Sequence, residues 1–374
     1  MKNFYWLILL PLFLSAAETE CCRENSYSFP CSNAIESYST LPSCRHCIQQ
    51  ECKPEFGAGI ISLDFLVWQA KEEGLEYALT NELFPNSALQ LNIDSKVIHP
   101  DFNWEPAFKL GIGYAIKHGG WDFYLNWTHF HTHTSNSASK GFSPTENGLI
   151  PLWQFPTTAV ATPSIRYTRA SASWELHFNT LDFELGRASR LSDYLCLRIH
   201  GGLKGAIVNQ NFDVFYENGQ TVPVNIISGD VQLKNNSKAL GPRLGFNSQW
   251  DLTAGWHLVA NGAMSLILFQ FKERTVEIDT ADNTGVPILN DIHCSEKIWI
   301  FKPVSEIALG VNWGTCFGCR ENRYFGFFLG YEFQYWWEQN LTRRFVDQYN
   351  DGQTFPNRGD LFLHGLTVNL RLEF

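Results

Sequence analysis

The feature that most constrains this chain is a period-two alternation of apolar and polar residues, sustained over segments longer than most strands of soluble proteins. It is clearest in 103–117, where every second residue from Trp104 to Ile116 is apolar, while Glu105 and Lys109 stand on the opposite parity. Successive side chains of a β-strand point to opposite faces of the sheet, so this segment has one apolar face and one polar face. The alternation therefore predicts long amphipathic strands.

Ten segments repeat the alternation, and they account for much of the chain after its N-terminal region. Beyond that region, no stretch approaches the roughly 20 consecutive apolar residues that a membrane-spanning helix requires. In one segment the apolar face changes between Phe178 and Leu181, which predicts a β-bulge. The ten segments are 57–69, 103–117, 120–132, 167–186, 194–209, 238–252, 255–271, 298–313, 323–338 and 361–374.

The junctions between these segments alternate between short and long, which a soluble sandwich has no reason to show. Short turns at one end and long loops at the other are typical of a transmembrane barrel. We therefore predict an all-β fold, a transmembrane antiparallel up-and-down β-barrel with 10 clear strands. Two long junctions leave room for 12 strands or more, with candidates at Leu89–Ile93, Asn211–Tyr216 and Thr221–Ile226. The long junctions are 70–102, 133–166, 210–237, 272–297 and 339–360.

Charged residues on the polar parity indicate the interior of the barrel. A charge against lipid is costly, so these side chains are expected to face a wet or internally paired lumen. Aromatic residues make up 15% of the chain, and many of its 13 Trp residues lie near strand ends, as at membrane interfaces. The predicted lumen-lining residues are Glu105, Lys109, Asp122, Glu175, Arg198, Lys204, Arg243, Lys302, Glu306, Glu332 and Arg371.

The N-terminus has the pattern of an export signal. Lys2 supplies a positive charge, Phe4 to Leu14 form an apolar run, and Ser15 and Ala17 are the small residues that a signal peptidase accepts. We predict a signal peptide over 1–17, a cysteine-rich periplasmic segment over 18–56 and an outer-membrane β-barrel over 57–374.

The 10 cysteines of an exported chain favour disulfides over cytosolic metal chemistry. The Cys44–Cys47 motif is also compatible with half a zinc site or a redox pair, but zinc needs four ligands at suitable spacing and redox chemistry needs a βαβ context. Cys196 and Cys294 stand alone in the sequence. The disulfide candidates are Cys21, Cys22, Cys31, Cys44, Cys47, Cys52, Cys316 and Cys319.

Other residues that could carry chemistry have simpler interpretations. His129, His131 and His133 continue the lipid-facing row of one strand beyond the membrane, which predicts a polar fringe, with contact to a metal ion or to lipopolysaccharide phosphate as the alternatives. A net charge of -10 without runs of Lys or Arg argues against a nucleic-acid partner. We predict no catalytic residue, no cofactor and no resident metal ion.

Three motifs resemble one known family. They are Trp68-Gln-Ala-Lys-Glu-Glu-Gly-Leu-Glu-Tyr-Ala78, Trp104-Glu-Pro-Ala-Phe-Lys-Leu-Gly-Ile-Gly-Tyr114 and Asp122-Phe-Tyr-Leu-Asn-Trp-Thr128. Together with the cysteine-crowded N-terminus and the terminal Phe374, they are similar to the major-outer-membrane-protein-like, pore-forming proteins of Legionella and environmental Chlamydiales. The resemblance implies a porin-like role in an outer membrane, with cross-linked cysteines, and it transfers no catalytic residue.

Three functions are compatible with these observations. The first is a porin-like channel for passive diffusion of small solutes or ions that is also a disulfide-linked envelope component. The second is a non-conducting structural or adhesive barrel with host-facing loops. The third is a barrel hydrolase, which would need His131 or His133 beside Ser135 or Ser137.

The predicted location is a bacterial outer membrane, with periplasmic termini and extracellular long loops. Lipid and lipopolysaccharide are the expected surroundings. The barrel-assembly machinery is expected to read Phe374 as an assembly signal, and the chain itself or other cysteine-rich envelope proteins are expected disulfide partners.

Overall fold

A computed structural model describes the part of the chain that the alternation covers. Residues 1–56, with the predicted signal peptide and six disulfide candidates, lie outside the described residues, and so does Leu89–Ile93. Within the described ranges, no helix is long and apolar enough to cross a bilayer. The described residues are 57–82, 95–116, 119–143, 146–153, 166–220, 226–282, 287–317, 323–345, 354–356 and 358–374.

Ten antiparallel strands close into a barrel. Each strand pairs with its neighbours in sequence, and the first pairs with the last, so the pairings of the described residues form a closed ring. The predicted all-β up-and-down barrel is confirmed, with ten strands in the ring. The strands are β1 (Ala58–Glu72), β2 (Trp104–Ala115), β3 (Trp121–Ser139), β4 (Arg169–Ser192), β5 (Leu195–Gln220), β6 (Ile226–Thr253), β7 (Trp256–Asp282), β8 (Ile298–Phe317), β9 (Arg323–Asn340) and β10 (Gly359–Glu373).

The two ends of the barrel differ. One end, called the short-turn end below, carries the start of β1, the end of β10 and the short connections 116–120, 193–194, 254–255 and 318–322. The opposite, long-loop end carries short additional strands. They are Ala78–Glu82, Val97–Ile98, Phe142–Ser143 and Glu146–Pro151 in one small sheet, Arg343–Phe345 with Thr354–Pro356 in another, and Pro287–Ser295 beside β7.

Of the additional strands considered for 210–237, Thr221–Ile226 lies outside the described residues except for Ile226, and the other is not a separate strand. Asn211–Tyr216 lies within β5, and the connection from β5 to β6 is only 221–225. The two strands continue to pair far beyond the segments that the alternation had marked. Continued pairing keeps backbone N–H and C=O groups hydrogen-bonded as far as Gln220 and Ile226.

An apolar belt surrounds the half of the barrel near the short-turn end. Large apolar side chains on the outer face are strongly exposed there, although soluble proteins rarely expose so large an apolar surface. The belt fits the hydrocarbon layer of a membrane. Examples from around the ring are Phe65, Ile112, Phe183, Ile199, Leu244, Met264, Ile307 and Leu366.

The polarity of the two barrel faces inverts beyond the belt. In β4, Leu181 and Leu185 are exposed on the outside, whereas Trp174 and Phe178 are buried inside. The pairing of β4 with both neighbours is continuous through this point, so the predicted β-bulge between Phe178 and Leu181 is wrong. The apolar side chains change face because the outer wall is in lipid at the belt and in water beyond it.

Candidate functional site: the barrel lumen

The lumen holds a polar cavity of about 350 Å³ in the half near the short-turn end. The cavity lies at this level because, within the belt, the polar residues of each strand point away from lipid and into the lumen. Glycines and small residues also line it, which leaves room for long charged side chains. Its charged lining residues are Asp64, Lys109, Asp122, Asp182, Glu184, Arg198, Arg243, Glu306, Glu332, Arg371 and Glu373.

A buried ion-pair network crosses the middle of the lumen. Lys204 is fully buried, and its Nζ lies 2.9 Å from Asp182 and 2.6 Å from Glu306. Arg243 also contacts Glu306, at 2.8 Å. Because β5 and β8 are not neighbours in the ring, the Lys204–Glu306 pair spans the lumen rather than running along its wall.

A second network lies closer to the short-turn end. The Arg198 guanidinium donates to both oxygens of Asp122 and, at 2.9 Å, to Glu184. It also donates to the Asn247 side-chain oxygen at 2.7 Å. One arginine therefore joins strands β3, β4 and β6 from its own position on β5. The planar guanidinium donates in fixed directions, so the positions of its acceptors relative to one another are geometrically specific.

A third pair lies on the opposite wall. Lys109 forms a short ion pair with Glu332, and its ammonium lies 5.1 Å from the centre of the Trp68 ring. Asn369 donates to the carboxylate of Asp64 beside it. The cation–π contact with Trp68 marks the level at which the polar cavity ends and an aromatic layer begins.

The aromatic layer closes the lumen above the charges. The rings of Phe178 and Trp336 are 5.1 Å apart in an edge-to-face contact, and Trp336 also contacts Phe269 at 6.2 Å. Phe178 lies on β4 and Trp336 on β9, which are diametrically opposite in a ten-stranded ring. All three side chains are fully buried, so the layer bridges the full width of the lumen.

A cap covers the long-loop end above this layer. The Tyr216 hydroxyl donates to the Tyr77 carbonyl oxygen at 2.5 Å, and the Trp153 indole N–H donates to the Glu76 carbonyl oxygen at 2.7 Å. Arg344 stacks over Trp153 at 4.3 Å and pairs with the Glu76 carboxylate at 3.1 Å. Burial raises the pKa of Tyr77 to about 12, so its phenol is neutral.

The first resemblance motif runs from the lumen wall into this cap. Trp68 belongs to β1 and faces inward, whereas Tyr77 is part of the cap. Between them Gly74 adopts a φ of 82°, a left-handed conformation that residues with a Cβ rarely adopt. The motif therefore encodes the sharp turn by which the chain leaves β1 and returns over the mouth.

The predicted lumen-lining residues occupy several levels. Lys109, Asp122, Arg198, Arg243, Glu306, Glu332 and Arg371 line the cavity. Lys204 lies in its central network, and Glu105 is opposite Trp68 in the pairing of β1 with β2. Lys302 is buried higher in the lumen, with its ammonium 4.3 Å from the Phe271 ring.

The prediction for Glu175 is wrong. Glu175 lies on the outer wall, on the parity opposite to the buried Trp174 and Leu176. The prediction assumed that every charge faces inward, which applies only where lipid lies outside. At this height the outer wall is polar, and the inner wall is apolar.

Four charged residues of the cavity were absent from the predicted set: Asp64, Asp182, Glu184 and Glu373. Asp182 and Glu184 alternate with the exposed Leu181, Phe183 and Leu185, so their orientation was readable from the period-two pattern. The change of the apolar face between Phe178 and Leu181 made this orientation difficult to predict.

The cysteines are only partly within the described residues. Cys316, a predicted disulfide candidate, and Cys196, which was not one, are disulfide-bonded, and Cys196 lines the cavity. Cys294 is a free thiol. The remaining candidates lie at 21–52 and at 319, outside the described residues.

Comparison with known proteins identifies the family to which the chain belongs. The family model described as the Legionella pneumophila major outer membrane protein precursor matches residues 57–374, which is the whole barrel. The chain belongs to this Legionella major outer membrane protein family. Membership of the family makes the chain a bacterial outer-membrane β-barrel. No curated protein gives a significant match.

Solved outer-membrane barrels are similar in fold at low sequence identity. The outer membrane protease OmpT from Escherichia coli is 8% identical, with a TM-score of 0.38 over 85% of this chain and 96% of that one. A Pseudomonas aeruginosa FadL homologue is 7% identical, with a TM-score of 0.27 over 85% and 90%. The Pseudomonas putida toluene transporter TodX is 9% identical, with a TM-score of 0.21 over 86% and 89%. These likenesses are too distant to indicate an activity for this chain.

Proposed function

We propose that the barrel is a porin-like channel for the passive diffusion of small ions or solutes across the outer membrane. The observation that supports this proposal most directly is the charged cavity of about 350 Å³ enclosed by a closed barrel. Charged and polar side chains that replace the hydration of a solute are what a selective pore requires. Membership of the outer membrane protein family agrees with this role.

The cavity charges favour cations. Carboxylates outnumber Lys and Arg side chains seven to four among the residues that line it. Excess carboxylates in a confined space raise the local concentration of cations. The proposed channel therefore prefers small cations to anions.

A non-conducting structural barrel is the second candidate. The observation in its favour is the aromatic layer of Phe178, Trp336 and Phe269, which closes the lumen above the cavity. In the channel proposal, passage requires displacement of this layer and of the cap. In the structural proposal, the layer is permanent, and the loops and cysteines carry the function.

Planar-bilayer recording of the refolded protein distinguishes the two candidates. We expect small conductance steps and, in a salt gradient, a reversal potential that indicates cation preference. Glu373→Gln removes a carboxylate from the cavity mouth and should weaken the cation preference. The control is Glu338→Gln, which should leave the preference unchanged because the Glu338 carboxylate pairs with Arg358 away from the cavity. Folded protein that shows no steps would support the structural barrel instead.

We further propose that both termini and the short turns face the periplasm. In support, β1 begins and β10 ends at the same end of the barrel as the short turns. In this arrangement 1–17 is a cleaved signal peptide, and 18–56 is a periplasmic segment whose cysteines link the chain to itself or to other cysteine-rich envelope proteins. Lipid and lipopolysaccharide surround the belt.

Protease added to intact cells tests this orientation. We expect cleavage within the 341–358 connection and protection of the 318–322 turn, because only the former would face outward. Disrupted cells serve as the control, in which both connections are reachable. Cleavage of intact cells at 318–322 alone would reverse the orientation.

The last strand is proposed to carry the assembly signal. The backbone of Phe374 exchanges hydrogen bonds with Gly59 at 2.8 and 3.0 Å, and its ring is exposed on the outer face. We expect Phe374→Asp to leave most of the protein unassembled, while Arg371→Ala assembles normally. Lipid solvation alone would be a small effect, since even Arg or Lys at mid-bilayer costs only about 2–4 kcal/mol. Recognition by the barrel-assembly machinery accounts for the larger loss.

Heat-modifiable mobility on gels reports assembly for both variants. Equal assembly of the Phe374→Asp and Arg371→Ala proteins would show that the terminal aromatic residue is not the signal.

A further inference from the structure

A cluster of two histidines and a carboxylate lies on the outer wall of the barrel, outside the lumen. His131 on β3 and His177 on β4 are directly opposite in the strand pairing, and Glu175 is two residues from His177 on the same face. The two imidazole rings stack with their centroids 4.3 Å apart. Both Nε2 atoms approach the same Glu175 oxygen, at 3.1 and 3.2 Å.

The arrangement has the dimensions of a metal site. The ligand atoms of His131, Glu175 and His177 all lie within 4.8 Å of one another. In a tetrahedral zinc site with bonds of about 2.0 Å, neighbouring ligand atoms are about 3.3 Å apart. The distances from the two histidine nitrogens to the shared carboxylate oxygen nearly equal such an edge. A modest separation of the stacked rings would admit an ion between the three atoms.

The strands hold these ligands in place before any ion binds. Cross-strand partners on one face of a sheet have fixed Cβ separations, and the wall of a closed barrel cannot change its register. Asn211 on β5 donates to the second oxygen of Glu175 at 3.4 Å, which leaves the first oxygen directed at the histidines.

The cluster is reachable from solution. The side chains of His131, Glu175 and His177 are 43, 35 and 46% exposed. His131 lies four residues beyond Trp127, the last large apolar side chain on the outer face of β3, which places it about 13 Å farther along the strand. The site is therefore above the apolar belt, at or beyond the level of lipid head groups.

We propose that His131, His177 and Glu175 bind a divalent transition-metal ion of the zinc type on the outer wall of the barrel. Two imidazoles favour such ions over Ca²⁺ and Mg²⁺, which prefer oxygen ligands. The three side chains leave a fourth position to water or to a ligand from the surroundings, so the ion remains accessible. The site does not depend on whether the lumen conducts.

Calorimetric titration of the untagged, refolded full chain with ZnCl₂ tests the site. His131→Gln and His177→Gln should each remove one equivalent of bound zinc or weaken it by at least about tenfold, because loss of a direct ligand costs at least as much as loss of a supporting residue. His129→Gln is the matched control, since it lies on the same face of β3 and hydrogen-bonds Asn179 outside the cluster. CaCl₂ should not compete.

Heat-modifiable mobility establishes that each variant is folded. X-ray absorption of the zinc-loaded parent chain reports the zinc ligands without any substitution. A decrease of imidazole scattering in the zinc-loaded His131→Gln protein relative to the parent assigns that scattering to this cluster. The proposal is overturned if the parent and the folded His131→Gln and His177→Gln proteins bind zinc equally. It is also overturned if His129→Gln weakens binding as much as they do, or if Ca²⁺ displaces zinc.

Discussion

Simultaneous replacement of Trp336 and Phe178 by alanine is expected to raise the single-channel conductance several-fold. These two rings form the contact, 5.1 Å between centroids, that bridges opposite walls of the lumen. Their removal leaves a gap above the polar cavity, which water can enter because Lys204 and its partners lie directly below. The Lys204 ammonium is 5.7 Å from the Trp336 ring. Bilayer recording at constant salt measures the change.

Trp337→Ala is the matched control for this prediction. It removes the same type of side chain from the next position of β9, but on the opposite parity, which faces away from the lumen. Each replacement of a buried aromatic residue by alanine costs about 3–5 kcal/mol, so the milder Trp336→Leu is a second test in case the double variant does not fold. Unchanged conductance in a folded Trp336 variant would mean that another level of the lumen restricts passage.

Replacement of Lys204 by methionine is expected to lower the free energy of unfolding by about 3–5 kcal/mol. The Lys204 ammonium is the direct partner of Asp182 at 2.9 Å and of Glu306 at 2.6 Å, and it is completely buried. Without it the two carboxylates face each other in the lumen with only Arg243 nearby. Urea unfolding of the barrel in lipid vesicles measures the loss.

Arg358→Met is the control for the lysine variant. Arg358 pairs with Glu338 at 2.9 Å but is 60% exposed, and exposed ion pairs contribute at most about 1 kcal/mol. A second substitution in the network provides a further check. Asp182→Asn in the Lys204→Met background should restore part of the stability, since it removes one of the two carboxylates with which Lys204 pairs. Equal losses for Lys204→Met and Arg358→Met would show that water already screens the lumen network.

The sequence alone determined the barrel and its belt. Period two is a local property of the strand, and lipid outside tolerates almost no charge, so the apolar parity of segments such as 103–117 had only one orientation available. The number of ring strands followed in the same way from ten alternating segments. Residues such as Lys109 and Arg198 could be assigned to the polar parity without knowledge of their partners.

Tertiary structure alone decided what each parity faces beyond the belt and which charges meet. The face change in β4 is not a bulge, and Glu175 points outward, because the same strand passes from lipid into water while its inner face passes from a polar cavity into an aromatic layer. Lys109 meets Glu332 across 223 positions of sequence, and His131 meets His177 only through strand register. Alternation specifies two faces, but the surroundings at each height and the closure of the ring determine their partners.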